Sequence, residues 1–369
     1  MSIPFIDLKY VNEPLLEEFF DEVKEACATS AYIGGAAVQK LEEQLAKYIG
    51  NRHGVALGSG TDALMLGLRS LNVGPGDEVI IPAFADPSTA NAVARLGAMP
   101  VFVDVRPETY TIDPDKTLAS ISSRTKAVIP IHIFGQAVEI DRLVTIARTY
   151  SVAVVEDVRH AFGARIGSRR LGTYGEFGAY SFAPTAPLGS LGDGGALTTN
   201  NEERAALVRK LRDQGRANEY DCEVVGYNSR LDAIQAAFLS RKLADVDENN
   251  SECIENARLY NHLLAGAMVK TPVFYDDGQA VYNQYVVRAP ERDKLIEKFN
   301  AKGIGWSAPI ARPLHLQPAF AYLGYKEGAF PIAEELAREA IALPVRPGLK
   351  KREIEFVCET IGSHYGVLA

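Results

Sequence analysis

Apolar and polar positions along the chain follow two rhythms. In residues 15–49, the segments LLEEFFDEVKEACATS and AAVQKLEEQLAKYIG place apolar residues at helical spacing, with Gly34-Gly35 between them. Beyond them, short β-branched runs alternate with helical stretches: HGVALGSG with TDALMLGLRSL, DEVIIPAF with STANAVARLG, then MPVFVDV, KAVIPIHIFG with EIDRLVTIARTY, and VAVVEDV. Parallel strands need long crossovers, so this alternation predicts an α/β fold with a mainly parallel central sheet covered by helices. From about residue 174 the texture changes to GEFGAYSFAPTAPLGSLGDGGALTTN, read as short strands joined by glycine turns. The stretch NEERAALVRKLRDQG and a region from about 231 to 265 read as helices. In the last hundred residues, NQYVVRAP reads as a strand, and ERDKLIEKFNAKG, AFPIAEELAREAIAL and REIEFVCETIG as helices. The expected division is a large α/β domain over 1–245 and a small C-terminal α/β domain over 246–369.

Composition narrows the function classes. A hydrophobic content of 47% over 369 residues supplies a core for two units. The 39 basic and 47 acidic residues leave a net charge of −8, which argues against nucleic acid as the main partner. No apolar run reaches about 18 residues, so no membrane span is expected. The N-terminal MSIPFIDLKYVNEPLLEEFF lacks the basic and apolar regions of a secretory signal, and the expected location is cytoplasmic. Cys27, Cys222, Cys253 and Cys358 are scattered and form no pair with metal or disulfide spacing.

Three segments carry candidate chemistry. GSGTDAL (58–64) follows a predicted strand and opens a predicted helix; it reads either as a phosphate site built from helix-start N–H groups with Ser59 and Thr61, or as an ordinary capped turn. VVEDV (154–158) puts two carboxylates at a strand end, where α/β sheets place ligands. Asp157 there can pair with a cation or a protonated ring nitrogen, or serve as a helix cap. SFAPTAPLGSLGDGGAL (181–197) is dense in small residues, which lets backbone approach a ligand, though a plain loop has the same composition.

Taken in order, GSGTDAL, PGDEVIIPAF, VFVDV, IHIFGQ, VVEDV, YSF, LGDGGALTTN, GYNSRLDAIQAA and PLHLQPAF resemble the DegT-type sugar aminotransferases, a family of fold type I that uses pyridoxal phosphate (PLP). The resemblance runs from about residue 5 to 350. It implies a fold type I domain with a smaller C-terminal domain, a homodimer with a shared active site, a nucleotide-linked keto sugar as substrate and glutamate as amino donor. Residue by residue it implies that Gly60, Thr61 and Ser181 hold the cofactor phosphate, that Asn228 reaches the partner's phosphate site, and that Asp157 pairs with the pyridinium nitrogen. His132 matches a structural position, and His315 a position near substrate.

The departures from the family pattern fall around the cofactor ring. Where the family reads S-F-x-P-[ST]-K-x-L-G, this chain reads SFAPTAPLG, so Ala186 stands at the Schiff-base lysine, and no lysine lies between Lys126 and Lys210. Alanine has no amine with which to form an aldimine or carry a proton. Asp86, in PAFADPST, takes the position of the aromatic residue that stacks on the ring. EDVRHAFG brings Arg159 and His160 where the family has E-D-x-A-Q, and APIARPLHLQ brings Arg312 in place of a histidine segment. The resulting expectation is an enzyme without covalent PLP that performs elimination, isomerisation or cyclisation on a small biosynthetic or sugar-derived substrate. His160, Asp86 and Asp157 would move protons, with Arg159, Arg312 or His315 holding substrate. PLP or its amine form bound noncovalently stays open. The alternatives are a PLP-dependent nucleotide-sugar aminotransferase carrying a lysine-to-alanine change at 186, and a noncatalytic partner subunit. Arg159 paired with Glu156, and His160 as a merely structural residue, stand beside these readings. Cys222 offers no chemistry, and Trp306 reads as core, near the pocket.

Overall fold

The computed structural model describes residues 2–274 and 278–366. Helices α1 (Leu8–Asn12), α2 (Leu16–Thr29) and α3 (Gly35–Ile49) precede the central sheet. Strands and helices then alternate: β1 (His53–Leu57), α4 (Gly60–Ser70), β2 (Glu78–Pro82), α5 (Pro87–Ala94), β3 (Met99–Val103), α6 (Pro114–Ala119), β4 (Thr125–Val128), α7 (Ile140–Thr149) and β5 (Ala153–Asp157). A hairpin of β6 (Arg165–Ile166) and β7 (Arg169–Arg170) leads to β8 (Phe177–Ser181) and β9 (Gly195–Thr199). The seven-stranded sheet has the order β1-β9-β8-β5-β4-β2-β3. Strand β9 runs antiparallel to β1 and β8, and the other neighbours are parallel.

The strands are covered on both faces, which is why they read as continuous apolar runs. Val79, Ile80 and Ile81 of β2 are fully buried, and so are Val55, Ala56 and Leu57 of β1. Helix α4 is buried nearly all round, with Ala63 to Leu68 inside, so it packs between sheet and outer helices rather than facing water. Each such Val, Leu or Ile contributes about 1.5–3 kcal/mol by leaving water.

After α8 (Glu202–Arg212), α9 (Ala233–Lys242) and α10 (Val246–Leu263), the short β10 (Gly278–Gln279) pairs with β6. A second core forms around an antiparallel pair, β11 (Tyr285–Arg288) and β12 (Ala340–Leu343), with α10, α11 (Arg292–Lys302) and α13 (Lys351–Tyr365). Ile3 from the N-terminus joins this core through its backbone bonds to Gly303 and Gly305. One sequence expectation changes here. AFPIAEELAREAIAL is not helical throughout: α12 (Pro331–Glu339) gives way to β12, whose four residues are all buried and complete the backbone bonding of β11. Tertiary pairing overrides the helical periodicity of the preceding residues. The segment before α12 packs on the large core, with Phe320 and Tyr325 against Phe102 of β3 at ring separations of 5.8 and 5.4 Å.

Strand alternation separates the two adjacent carboxylates of β5 onto opposite faces. Glu156 is fully buried. It accepts the backbone N–H groups of Gly172 (2.8 Å), Tyr174 (2.7 Å) and Gly175 (2.8 Å), and its Oε2 lies 3.1 Å from His132 Nε2. The N–H of Val138 donates to His132 Nδ1 at 3.2 Å, so the ring proton sits on Nε2 and points at Glu156. Glu156 thus ties β5 to the turn before β8 and to the segment after β4, as the structural reading of His132 expected, and Arg159 takes no part. Replacing Glu156→Ala strands these buried donors, and a loss of about 3 kcal/mol or more is expected as a shift in the chemical denaturation midpoint.

Candidate functional site

A cavity of about 560 Å³ opens between the C-terminal end of β5, the 183–187 turn, the N-terminal segment and the second core. At one end, Ser59 begins α4 as its N-cap, its Oγ accepting from Asp62 N at 3.1 Å. Helix α4 meets β8 so closely that a Cβ at Gly60 would lie 2.6 Å from the Ser181 Cβ. Glycine is required there because backbone and serine side chain touch. Gly60 and Ser181 are therefore in contact, with Thr61 next along the helix, and of the three Ser181 lines the cavity. This end has the form of an anion cradle: first-turn helix N–H groups with a hydroxyl beside them. Asn228 does not line the cavity; its Oδ1 accepts from Arg230 Nε at 3.2 Å.

The other end is built on Asp157, only 1% exposed. Arg159 folds back over it. Its Nε donates to both carboxylate oxygens at 2.9 and 3.0 Å, its Nη2 to Oδ2 at 2.6 Å, and its backbone N–H to Oδ1 at 3.2 Å. Thr89 donates to the same Oδ2 at 3.2 Å and accepts Arg159 Nη2 at 2.9 Å. Arg159 Nη1 donates to Ser88 Oγ, and Asp86 Oδ1 lies 3.5 Å away. Asp86 also caps α5, accepting Ser88 N at 2.9 Å, and its side chain is 57% exposed. His160 lines the cavity with its ring parallel to Phe134, centroids 6.2 Å apart. Its Nδ1 is buried and has no hydrogen-bond partner among the described residues.

These contacts set the ionisation. Burial raises the Asp157 carboxyl, but the charge and hydrogen bonds of Arg159 outweigh it and hold the group below the usual carboxylate range. Burial, reinforced by the Arg159 charge, pushes His160 down to about 4. His160 is accordingly neutral at physiological pH, not the group titrating near neutrality that its residue type suggested.

The structure brings Asp86, Asp157, Arg159 and His160 together, and Ala186 lines the same cavity, in a turn closed by its N–H on Ala183 O at 2.8 Å. It separates two others. Arg312 is exposed and does not line this cavity, while His315 is buried against Glu334 at 2.9 Å and the Phe330 ring. A substrate role for either in this cavity has no geometric basis, because the turn of 310–316 packs His315 inward. Trp306 does line the cavity, and packs on the second core with its Nε1 donating to Asn300 Oδ1 at 2.9 Å. Sequence reasoning missed Ser88, Thr89, Lys242 and Arg346. The string DPST marks a capped helix start and so signals the first two, whereas the two cations come from distant elements.

The residues present fit PLP at the phosphate end and not at the ring end. The lone pairs of Asp157 that would receive a pyridinium N–H are taken by a guanidinium and a hydroxyl, a charge-assisted clamp that a ring would have to displace. Asp86 offers a carboxylate where a π-face needs an apolar neighbour, and Ala186 offers no amine.

The depressed His160 predicts a pH signature. Between pH 6.5 and about 4 the unfolded chain binds a proton that the folded chain does not, so stability falls as pH drops through that window. The loss is on the order of 3 kcal/mol by pH 4. Melting temperatures measured from pH 8 to 4 should fall less steeply for His160→Asn than for the parent. The contribution of Asp157 is lost only below the ordinary aspartate value of 3.8, outside this window.

Comparison with known proteins gives the same lineage. The DegT/DnrJ/EryC1/StrS aminotransferase family matches residues 14–362. The chain is 41% identical over 368 residues to a pleiotropic regulatory protein of Geobacillus stearothermophilus, covering 99% of each. It is 36% identical to the UDP-2-acetamido-2-deoxy-3-oxo-D-glucuronate aminotransferase of Pseudomonas aeruginosa, covering 97% of this chain and 99% of that one. Among solved structures, S. venezuelae DesV in complex with a ketimine intermediate superposes with a TM-score of 0.97 at 36% identity, covering 100% of both chains. Family resemblance, fold type and site scaffold converge: this chain belongs to the DegT/DnrJ/EryC1/StrS aminotransferase family.

Proposed function

We propose that the protein is a sugar-modifying enzyme of this family that takes a nucleotide-linked sugar into the cavity and acts on it by proton transfer, without a covalently held cofactor. The observation that carries this reading is the Arg159 clamp on Asp157, in a chain that has alanine at 186. The substrate class is supported by relatives named as nucleotide-sugar aminotransferases. Asp86 is the proton acceptor, as a carboxylate exposed to the cavity. His160 lines the cavity as a neutral imidazole and packs beside the substrate. Asp157 is a positioning group: its oxygens are fully engaged in holding Arg159. Proton abstraction beside a carbonyl, leading to elimination or isomerisation, is the reaction class these groups can serve. Gly60, Thr61 and Ser181 receive a phosphoryl group, and a second copy of the chain supplies Asn228 to the site, as the family resemblance implies.

The relatives favour a second reading over this one: a PLP-dependent nucleotide-sugar aminotransferase that carries alanine at its lysine position. Its support is the high similarity over nearly the full length, together with the phosphate end of the cavity. Ala186→Lys separates the two. On the first reading, the variant takes up no PLP, because Arg159 and Asp86 still fill the ring end. Adding Arg159→Ala and Asp86→Phe to it then produces the aldimine absorbance. A yellow single variant that transfers amino groups from glutamate to a UDP-keto sugar would establish the second reading.

A further inference from the structure

Two arginines and a lysine line the cavity: Arg159, Arg346 and Lys242. Two are already committed. Arg159 is spent on Asp157, Asp86, Ser88 and Thr89. Lys242 is buried, with its Nζ donating to Asn12 Oδ1 at 2.9 Å and to Gly189 O at 3.0 Å. Arg346, in the connection from β12 to α13, is placed differently. Its Nε donates to Pro4 O and its Nη1 to Pro347 O, each at 3.2 Å. Both acceptors are neutral backbone carbonyls of prolines, whose fixed φ makes a stiff frame. Its contact with a carboxylate is to Asp7 Oδ2, at 3.9 Å, too long for a hydrogen bond. The frame therefore uses two of the five guanidinium N–H groups and orients the fork; Asp7, which lines the same cavity, offsets part of the charge at ion-pair distance but takes up none of the remaining N–H groups.

We propose that Arg346 is a second anion anchor of this cavity, apart from the Gly60–Thr61–Ser181 cradle, and binds the diphosphate of a nucleotide-linked substrate. The assignment rests on the nucleotide-sugar reading above. It also replaces Arg159 and Arg312 in that role: the first is consumed by carboxylates, and the second lies off the cavity. In a chain of net charge −8, a dianionic ligand needs a local cation to overcome the overall field. A guanidinium held in plane meets two phosphoryl oxygens at once. Trp306 lines the same cavity and is the one tryptophan of the chain, so its fluorescence reports on ligand there.

The test uses the full chain with UDP, inorganic pyrophosphate and uridine as probes, measured by calorimetry and by Trp306 fluorescence. Expected are saturable binding of UDP and pyrophosphate, a rise in Kd of about tenfold or more for both in Arg346→Met, partial recovery in Arg346→Lys, and no change for uridine. Arg346→Lys keeps the charge and serves where Arg346→Met fails to fold. Unchanged affinity of UDP and pyrophosphate in folded variants overturns the anchor and leaves the nucleotide-sugar reading standing. Arg346-dependent binding of pyrophosphate without binding of UDP keeps an anion site but overturns its assignment to a nucleotide, and the reading with it. No binding of UDP or pyrophosphate by the parent overturns both.

Discussion

A guanidinium laid across a buried carboxylate governs the chemistry of this cavity. Asp157 sits at the end of a central strand, where the sheet gives it no water, so its charge has to be met locally. Arg159, two residues on, meets it with bonds to both oxygens, while Ser88 and Thr89 from the start of α5 take up the outer donors and Asp86 adds a second negative charge. Breaking one side of such a pair costs about 3–5 kcal/mol, so the arrangement resists displacement by an incoming ring. The same cation, added to burial, keeps His160 neutral.

The neighbouring carboxylate on the strand shows how scaffold and chemistry divide. Glu156 points to the other face and is consumed by three backbone N–H groups and a histidine. Its work is to fix the turn before β8, which in turn places Ser181 against Gly60. One residue along, Asp157 meets Arg159, which lines the cavity. A pair of letters in the sequence thus serves two unrelated ends because strand side chains alternate.

The chain preserves the frame of its family. The close approach of α4 to Ser181 is intact, and the whole fold superposes on a solved relative over its full length. Family membership therefore fixes the architecture and the aminotransferase lineage. Around Asp157 the cavity carries a cluster of charged side chains, Arg159 and Asp86 among them.

The order and type of the elements were legible in the sequence, because apolar periodicity records which faces are buried: the alternation from β1 to β5 and the helices α2, α3, α7 and α13 follow from it directly. So did the positions of Asp86, Asp157, Arg159, His160 and Ala186, since each departs from or matches a motif. Their partnerships did not follow. Nothing in EDVRHAFG states that Arg159 turns onto Asp157 rather than Glu156, that His160 loses its basicity, or that His315 faces the core against Glu334. Ala340–Leu343 became a strand only because β11 lay beside it. Arg346 met the cavity only because the second core folds back over the N-terminal segment. Periodicity along a chain encodes burial, which is local; charge pairing and ionisation depend on what distant segments bring within a few ångströms, and only the tertiary structure decides that.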